Sequence, residues 1–408
     1  PNFFSLKANY KIVEQMIEEG MVASACAVGY GGIAEALFKM GLGNRIGFKM
    51  RADMPTHRMF EPMYGSIVLE MVSDAPAGEI LGETTKEYVF EACGEKLDMA
   101  QLQEIWEGKL EPVYPYRKAG PTVEKINGKL NAPAAPKIGV AKPKVIIPVF
   151  PGTNCDYDTA KAFRAAGAEV RTSVLCNIAG DDVLRSIAEM KEHIRRAHIF
   201  VLAGGFSAGD EPDGSAKFIV NVLNNKDIRD EIHALTDRGG LILGICNGFQ
   251  ALVKSGLLPY GRLGMVTKES PTLFRNDVNR HISQIVSTRV ATTASPWLRG
   301  FRPGELHSIA VSHGEGKFVV SEELARELFA NGQVAFQYAD AAGNPTAEAP
   351  WNPNGSSYAI EGIISQNGLI LGKMGHTERY ENNLFKNIAG NKQQSLFANA
   401  VAYFRKVQ

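Results

Sequence analysis

Three apolar runs, continuous rather than alternating, most strongly constrain what this chain can fold into. They read KVIIPVF (Lys144 to Phe150), HIFVLAGG from His198 and GLILGIC from Gly240. Strands that are covered on both faces have no polar face, so such runs are typical of a parallel sheet with crossover helices. The first run is followed by a turn and the helical pattern DTAKAFRAAG. The sequence therefore predicts an α/β fold whose reactive groups lie at the carboxyl edge of the sheet.

The chain has 408 residues, more than one typical domain contains. A change in composition along the sequence indicates where the domains are divided. The segment KAGPTVEKINGKLNAPAAPKIGVAKP is rich in Pro, Ala, Gly and Lys and has no apolar periodicity, as is typical of linkers. We therefore predict a first domain over residues 1–118, a linker over 119–143 and a second domain over 144–408. The first domain is predicted to be a smaller α+β unit, with helix-like Tyr10 to Met16, Ile33 to Met40 and Thr85 to Trp106, and strand-like Ser66 to Val72.

Composition excludes several functional classes. Basic and acidic residues both number 44, so no global charge attracts nucleic acid or an anionic membrane. No apolar stretch has the length of a membrane span, and the N-terminal run does not have the pattern of a secretory signal. Because the sequence begins at Pro1, we expect a piece of a longer protein. Five cysteines without zinc-like spacing indicate free thiols in a reducing cytoplasm and no metal site: Cys26, Cys93, Cys155, Cys176 and Cys246.

Cys246 is the candidate nucleophile. It ends an apolar strand in GGLILGICNGFQALVKSGLLP, between Gly244 and Gly248 and directly before a helical pattern. A strand-to-helix elbow projects its side chain into a cleft at a helix N-terminus, which favours the thiolate. The backbone N–H of Asn247 is then placed to stabilise an oxyanion. The alternative is a buried, inert thiol, since free cysteines are among the most buried residues.

His376 and Glu378 are the candidate base and orienting carboxylate. They follow another apolar run in LILGKMGHTERYENN, and side chains at i and i+2 of an extended segment share a face. The alternative is a solvent-facing histidine in a charged turn. In HIFVLAGGFSAGDEPDGS, Gly204 and Gly205 close a third strand, and an amide there is a candidate second oxyanion donor. An ordinary strand-to-helix turn is the alternative.

Five motifs in order, FPGTNCDYDTA, LAGGFSAGDEPDGS, GICNGFQ, HGEGKF and MGHTER, resemble the class I glutamine amidotransferase domain of phosphoribosylformylglycinamidine synthases. The resemblance runs from Lys144 to the C-terminus and implies a flavodoxin-like fold with a mostly parallel sheet flanked by helices. It also implies residue roles: Cys246, His376 and Glu378 as the catalytic residues, Gly205 and Asn247 as the oxyanion amides, and Gln250, His313 and Glu315 as part of the glutamine pocket.

Departures from the family pattern concern loop shape and partner contacts. Many relatives have Pro and Tyr where this chain has Ala203 and Ala208, and Pro where it has Thr377. Cys155, in FPGTNCDYDTA, is a rival thiol; its helix is predicted to begin near Asp158, and we interpret it as structural.

The first domain resembles, less closely, the end of the second aminoimidazole-ribonucleotide-synthetase-like unit of these synthases. The matching segments are VGYGGIAEALFKMGLGNRIGF and LGETT. A plain N-cap turn and an anion-binding helix N-terminus at Gly31 and Gly32 are both open alternatives. We expect the ATP- and substrate-binding half of such a synthetase to lie outside this sequence.

The resemblance implies a function for the chain. Glutamine would be hydrolysed to glutamate and ammonia, without a cofactor, for the conversion of formylglycinamide ribonucleotide to formylglycinamidine ribonucleotide in purine biosynthesis. That ligase reaction would use ATP and Mg²⁺ outside most of this chain, in a synthetase portion of the same longer polypeptide. The alternatives are another cysteine hydrolase of the related fold, or a glutaminase module that is silent without the ATP-binding half.

Overall fold

The computed structural model describes residues 2–74, 78–113, 115, 119–120, 123–125, 133–134, 139–206 and 216–405. The chain divides into two compact units, one formed by Pro1–Tyr114 with Asn383–Ala389 and the other by Pro115–Asn382 with Gly390–Gln408. Much of the predicted linker, 119–143, lies outside the described residues, and the predicted domain boundaries stay a prediction. Among the described residues, no helix is both long and apolar enough to cross a membrane.

The described residues of the first unit form two small sheets and four helices. The strands are β1 (Val22–Ala27), β2 (Gly47–Met50), β3 (Ile67–Met71), β4 (Gly82–Thr85), β5 (Val89–Ala92) and β6 (Glu95–Asp98). Strands β1 and β3 pair antiparallel, and the other four strands form a sheet in the order β4-β2-β5-β6. The helices are α1 (Phe3–Glu18), α2 (Gly32–Leu42), α3 (Thr56–Met59) and α4 (Met99–Gly108).

The predicted helix over Thr85 to Trp106 is wrong in its first half. That stretch contains the antiparallel hairpin β5–β6, and only its end belongs to α4. The two turn residues, Cys93 and Gly94, have φ of 54° and 80°. Two successive left-handed residues match the twist of a tight hairpin, and a glycine adopts that conformation without strain. A left-handed pair also ends any helix, so the apolar spacing across it does not indicate one.

The second unit is built on a nine-stranded sheet. The strands of this unit are β7 (Lys144–Val149), β8 (Glu169–Val174), β9 (Ile199–Leu202), β10 (Leu241–Ile245), β11 (Thr272–Phe274), β12 (Ile282–Val290), β13 (Leu306–His313), β14 (Lys317–Val319), β15 (Val334–Tyr338), β16 (Ile360–Ile364) and β17 (Ile370–Lys373). Strands β11 and β14 are the two that lie outside the large sheet. Its helices are α5 (Asp156–Ala165), α6 (Asp182–Arg196), α7 (Lys217–Leu223), α8 (Lys226–Asp237), α9 (Asn247–Ser255), α10 (Leu257–Tyr260), α11 (Glu322–Ala330) and α12 (Leu396–Phe404).

The order in the large sheet is β13-β12-β15-β16-β17-β10-β9-β7-β8. The five strands from β17 to β8 pair in parallel, while β16, β15, β12 and β13 extend the sheet antiparallel. Every residue of β9 and β10 is buried, as expected of strands covered on both faces. The predicted α/β class and its parallel sheet are confirmed, and the antiparallel extension is an addition to them.

Helix α9 packs unusually close to the parallel strands. A Cβ atom on Gly248 would lie 1.9 Å from the carbonyl oxygen of Leu202 in β9, and one on Gly372 would lie 2.1 Å from the Phe249 ring. Glycine at these positions therefore sets the distance between helix and sheet. Because α9 begins directly after Cys246, the same packing fixes where that side chain lies.

Gly248→Ala is expected to lower the unfolding free energy by about 1–3 kcal/mol, because the added methyl group forces the helix away from β9. The measurement is urea unfolding followed by circular dichroism. Gly180→Ala is the matched control, since nothing lies within 4 Å of a Cβ at that position. Equal unfolding midpoints for the two variants would contradict the packing argument.

Candidate active site

Cys246 lies at a strained junction between β10 and α9. Its backbone has φ 51° and ψ −106°, a region that non-glycine residues seldom adopt and that occurs at functional sites. Its N–H donates to the carbonyl of Lys373 at 2.8 Å, and its Sγ lies 3.7 Å from the carbonyl oxygen of Ser312. The residue is 5% exposed. The predicted strand, elbow and helix are all present.

His376 and Glu378 meet directly after β17. Nδ1 of His376 lies 2.6 Å from Oε1 of Glu378, and both side chains are buried. The N–H of His376 donates to the carbonyl of Ala310 at 2.8 Å. The predicted contact is present, but the backbone forms a 3-10 turn over Thr377–Arg379 rather than an extended segment. Since Nδ1 faces the carboxylate, Nε2 is the remaining nitrogen, and it has no hydrogen-bond partner among the described residues.

The charges of this group favour an ionised pair. Burial alone would lower the pKa of His376, but the carboxylate of Glu378, followed by interactions with Cys246 and Cys155, outweighs burial and raises that pKa well above its ordinary value. Burial opposes the charged form of Glu378 as well, yet the neighbouring His376 lowers its pKa below the ordinary value. Opposite charges stabilise each other strongly where water is excluded. The imidazole can therefore hold a proton next to Cys246.

Cys155 also lies beside His376, a contact that the residues around it in the sequence did not indicate. Its Sγ is 3.8 Å from Nδ1 of His376 and receives a hydrogen bond from the Arg379 guanidinium at 3.5 Å. The helix predicted to begin near Asp158 begins at Asp156, with Cys155 as its N-cap. The signal was present in the strand order, because β7 ends at the same carboxyl edge as β10.

One glycine makes this crowding possible. A Cβ on Gly204 would lie 2.8 Å from Cε1 of His376 and 3.1 Å from Sγ of Cys155.

Donor atoms of Cys155, His376 and Glu378 all lie within 4.8 Å of one another, a grouping that could hold a metal ion. The guanidinium of Arg379, 3.5 Å from the same sulfur, puts a positive charge where a cation would have to bind.

Gly205 presents its backbone at the end of β9. It forms an antiparallel bridge with Thr153, in which the flanking N–H of Phe206 donates to the carbonyl of Gly152 at 2.8 Å. In such a pair the ladder bonds fall on the neighbours, so the Gly205 N–H is not part of the ladder. A Cβ on Gly205 would lie 2.4 Å from the Gly152 oxygen. The rest of the predicted motif, residues 207–215, lies outside the described residues.

Gln250 connects helix α9 to the loop that follows β13. Its Oε1 accepts from Nδ2 of Asn247 at 2.9 Å, and its Nε2 donates to the backbone carbonyl of Glu315 at 2.5 Å. All three residues are buried. The Gln250 amide is therefore used inside the protein, and it shapes the predicted pocket by holding the loop.

His313 is buried, and it follows Ser312, whose carbonyl oxygen lies 3.7 Å from Sγ of Cys246. Burial first, and then the positive charges of His376 and His281, lower the pKa of His313 to about 3. Neither ring nitrogen has a hydrogen-bond partner among the described residues. A Cβ on Gly316 would lie 2.5 Å from the ring, so that glycine leaves the space the ring occupies. His313 is a neutral imidazole with one donor and one acceptor unused.

Comparison with known proteins supplies a family. A family described as a CobB/CobQ-like glutamine amidotransferase domain matches residues 142–404. The chain is 32% identical over 260 residues to phosphoribosylformylglycinamidine synthase subunit PurQ of Gloeobacter violaceus, covering 64% of this chain and 99% of that one. It is 36% identical over 253 residues to the PurQ subunit of Chlorobaculum tepidum, covering 62% and 95%.

A solved structure is similar as well. A chain in the structure of PurLQS from Thermotoga maritima has 26% identity and a TM-score of 0.48, covering 65% of this chain and 100% of that one. The family match alone spans more than half of the present chain and includes strands β7 to β17, the elbow and the histidine turn described above. This chain belongs to the CobB/CobQ-like glutamine amidotransferase domain family.

Proposed function

We propose that Cys246 is the nucleophile of a glutaminase reaction, with His376 as its base and Glu378 as the carboxylate that orients the base. The observation that carries the proposal is the 2.6 Å contact of Glu378 with Nδ1, which leaves Nε2 as the nitrogen for proton exchange. Cys246 and His376 follow β10 and β17, whose ends lie side by side, and Cys246 is among the groups that raise the pKa of His376. A base held by a third group is the usual way to activate a thiol.

The chain is an enzyme, the glutaminase part of phosphoribosylformylglycinamidine synthase in purine biosynthesis. The amidotransferase family and PurQ relatives matched over 95–99% of their length support this. The overall reaction is that of a carbon–nitrogen ligase with glutamine as the amido donor. Glutamine is the substrate, and a synthetase is the partner that uses the ammonia.

The proposed chemistry proceeds by acyl transfer. The raised pKa of His376 favours transfer of the thiol proton from Cys246 to Nε2, and the thiolate attacks the carboxamide carbon of glutamine. The backbone amides of Gly205 and Asn247 hold the resulting oxyanion. His376 gives its proton to the departing nitrogen, which leaves as ammonia. Water, deprotonated by the same histidine, then hydrolyses the thioester to glutamate and restores the thiol.

Recognition of glutamine is proposed to involve the loop after β13. The neutral, unpartnered His313 ring can donate one hydrogen bond to the substrate and accept another. Gln250 and Glu315 contribute indirectly, since the hydrogen bond between them fixes the loop against α9. The glutaminase requires no cofactor in this scheme, because every proton it moves is held by a residue of the chain.

The wider assembly is also a proposal. We infer that ATP and Mg²⁺ act in a synthetase portion of the same longer polypeptide, and that the first domain is the end of its synthetase-like unit. Helix α2 begins at Gly32, within the sequence segment that carries that resemblance. A cytoplasmic location is supported by the five cysteines, all of which are free.

Cys246→Ala is expected to lower glutamate formation by about 10⁴-fold or more, because the reaction loses its nucleophile. Glutamate release is the measurement, and Cys176→Ala, which removes an exposed free thiol, is the control. Labelling with an electrophilic glutamine analogue, followed by peptide mapping, tests the same assignment if the glutaminase is silent without its synthetase. Glutamate formation at the wild-type rate in Cys246→Ala, or a label on Cys155 instead, would refute it.

Glu378→Gln is expected to shift the titration of His376 to lower pH, because it removes the carboxylate charge that raises the pKa of the imidazole. Glutamine hydrolysis should fall about 100-fold, since the base is less well oriented and less basic. The titration is followed by the NMR signal of the ring Cε1–H. Glu381→Gln, at an exposed ion pair with Lys161, is the control. An unchanged titration in Glu378→Gln would show that the carboxylate does not act on the base.

A further inference from the structure

A buried ion pair lies beside the catalytic turn and has no part in the proposed chemistry. Lys373 in β17 and Glu361 in β16 have fully buried side chains, and Nζ lies 3.4 Å from Oε1. Removing two charges from water is costly, and a hydrophobic pair of similar volume would often be equally stable. Stability alone therefore gives little reason for these residues, and their other contacts become informative.

Both backbone groups of Gly375, the residue before His376, are bound by this pair. The N–H of Gly375 donates to Oε1 of Glu361 at 2.6 Å, and Nζ of Lys373 donates to the carbonyl of Gly375 at 3.0 Å. A Cβ on Gly375 would lie 2.8 Å from the Glu361 oxygen and 3.0 Å from Nζ. The charged groups can reach the backbone because this residue has no side chain.

The residue after His376 is bound by the same lysine. Nζ of Lys373 donates to the hydroxyl of Thr377 at 3.1 Å, and that hydroxyl donates to Oε1 of Gln394 at 2.6 Å. With Glu361 and the Gly375 carbonyl, Thr377 completes the three acceptors that an ammonium can satisfy. Nζ also lies 5.3 Å from the centre of the Phe336 ring, a favourable position for a cation. The ammonium is thus fixed from several sides.

We propose that Glu361 and Lys373 are positioning residues that set the orientation of His376 by holding Gly375 and Thr377, on either side of it. This rests on the proposed role of His376 as the base. The backbone of His376 is then fixed relative to Cys246, whose own N–H bonds to the carbonyl of Lys373 at 2.8 Å. A small rotation of the turn would change the distance from Nε2 to the thiol and slow proton transfer.

Lys373→Met is the direct test, because it removes the ammonium and keeps the length of the side chain. We expect kcat for glutamine hydrolysis to fall about 10- to 100-fold, with KM changed less than about twofold, since the base is displaced while the pocket is intact. Lys191→Met, which breaks the ion pair between Lys191 in α6 and Asp227 in α8, is the matched control. Melting temperatures are recorded, and rates are measured where all variants are folded. Wild-type kcat in folded Lys373→Met would overturn the proposal.

A rescue variant separates positioning from a merely structural role. Thr377 is the first residue of its 3-10 turn, and His376 before it is non-helical, with φ −90° and ψ 82°. Proline suits such a first position and restricts the backbone by its ring. Thr377→Pro in the Lys373→Met background is therefore expected to raise kcat about threefold or more above that of Lys373→Met. Restored melting temperature without restored kcat would contradict positioning.

Two further variants keep the test decisive. If Lys373→Met does not fold, Glu361→Gln replaces it, since the amide keeps an oxygen acceptor for Gly375 but loses the charge that fixes the ammonium. A kcat reduced by about threefold or more supports the proposal, and an unchanged kcat overturns it. His376→Ala separates the proposed base from the proposed positioning role. If that variant hydrolyses glutamine normally, the proposed base is wrong. If it is inactive while Lys373→Met is fully active, only the positioning role is wrong.

Discussion

Parallel pairing of β10 with β17 is the interaction on which the rest of the site depends. Gly244 lies opposite Gly372 and Ile245 opposite Lys373, so the two strands end side by side at the same edge. Cys246 continues from one of them and His376 from the other. Any shift of this register by one residue would move the nucleophile away from the base and reverse the faces of the strand that shifts. The backbone hydrogen bond from Cys246 to Lys373 stabilises the register at the point where it matters most.

Much of this arrangement could be predicted from local sequence. Continuous apolar runs identified the parallel strands, and the glycines around Cys246 indicated the elbow, because both properties depend on neighbours along the chain. The positions of Cys155 and Lys373 could not be found in that way. Lys373 interrupts an apolar run and has the pattern of a charge at a strand end, until β16 supplies Glu361 beside it. Contacts between residues distant in sequence are set by strand order, which local patterns do not contain.

Two cysteines at one sheet edge illustrate how surroundings divide chemical roles. Cys246 has a left-handed backbone, while Cys155 has an ordinary one and contacts Nδ1 of His376. Arg379 donates to the second sulfur. The two thiols follow similar motifs of strand, glycine and helix, yet Cys155 has φ −102° where Cys246 has φ 51°, and Cys155 contacts Nδ1, the nitrogen that is bound by Glu378. The backbone angle and the contact with Nδ1 distinguish the two thiols.

The positive φ of Cys246 also limits which amino acids could ever replace it. A side chain branched at Cβ is a genuine outlier in that region of backbone space, so a threonine nucleophile would distort the elbow that presents it. Serine has the required shape but is far less acidic than a thiol. Of the two hydroxyl nucleophiles, only serine fits this backbone, and it is a weak substitute for cysteine. The backbone angle restricts evolutionary change at this position independently of any selection for sulfur chemistry.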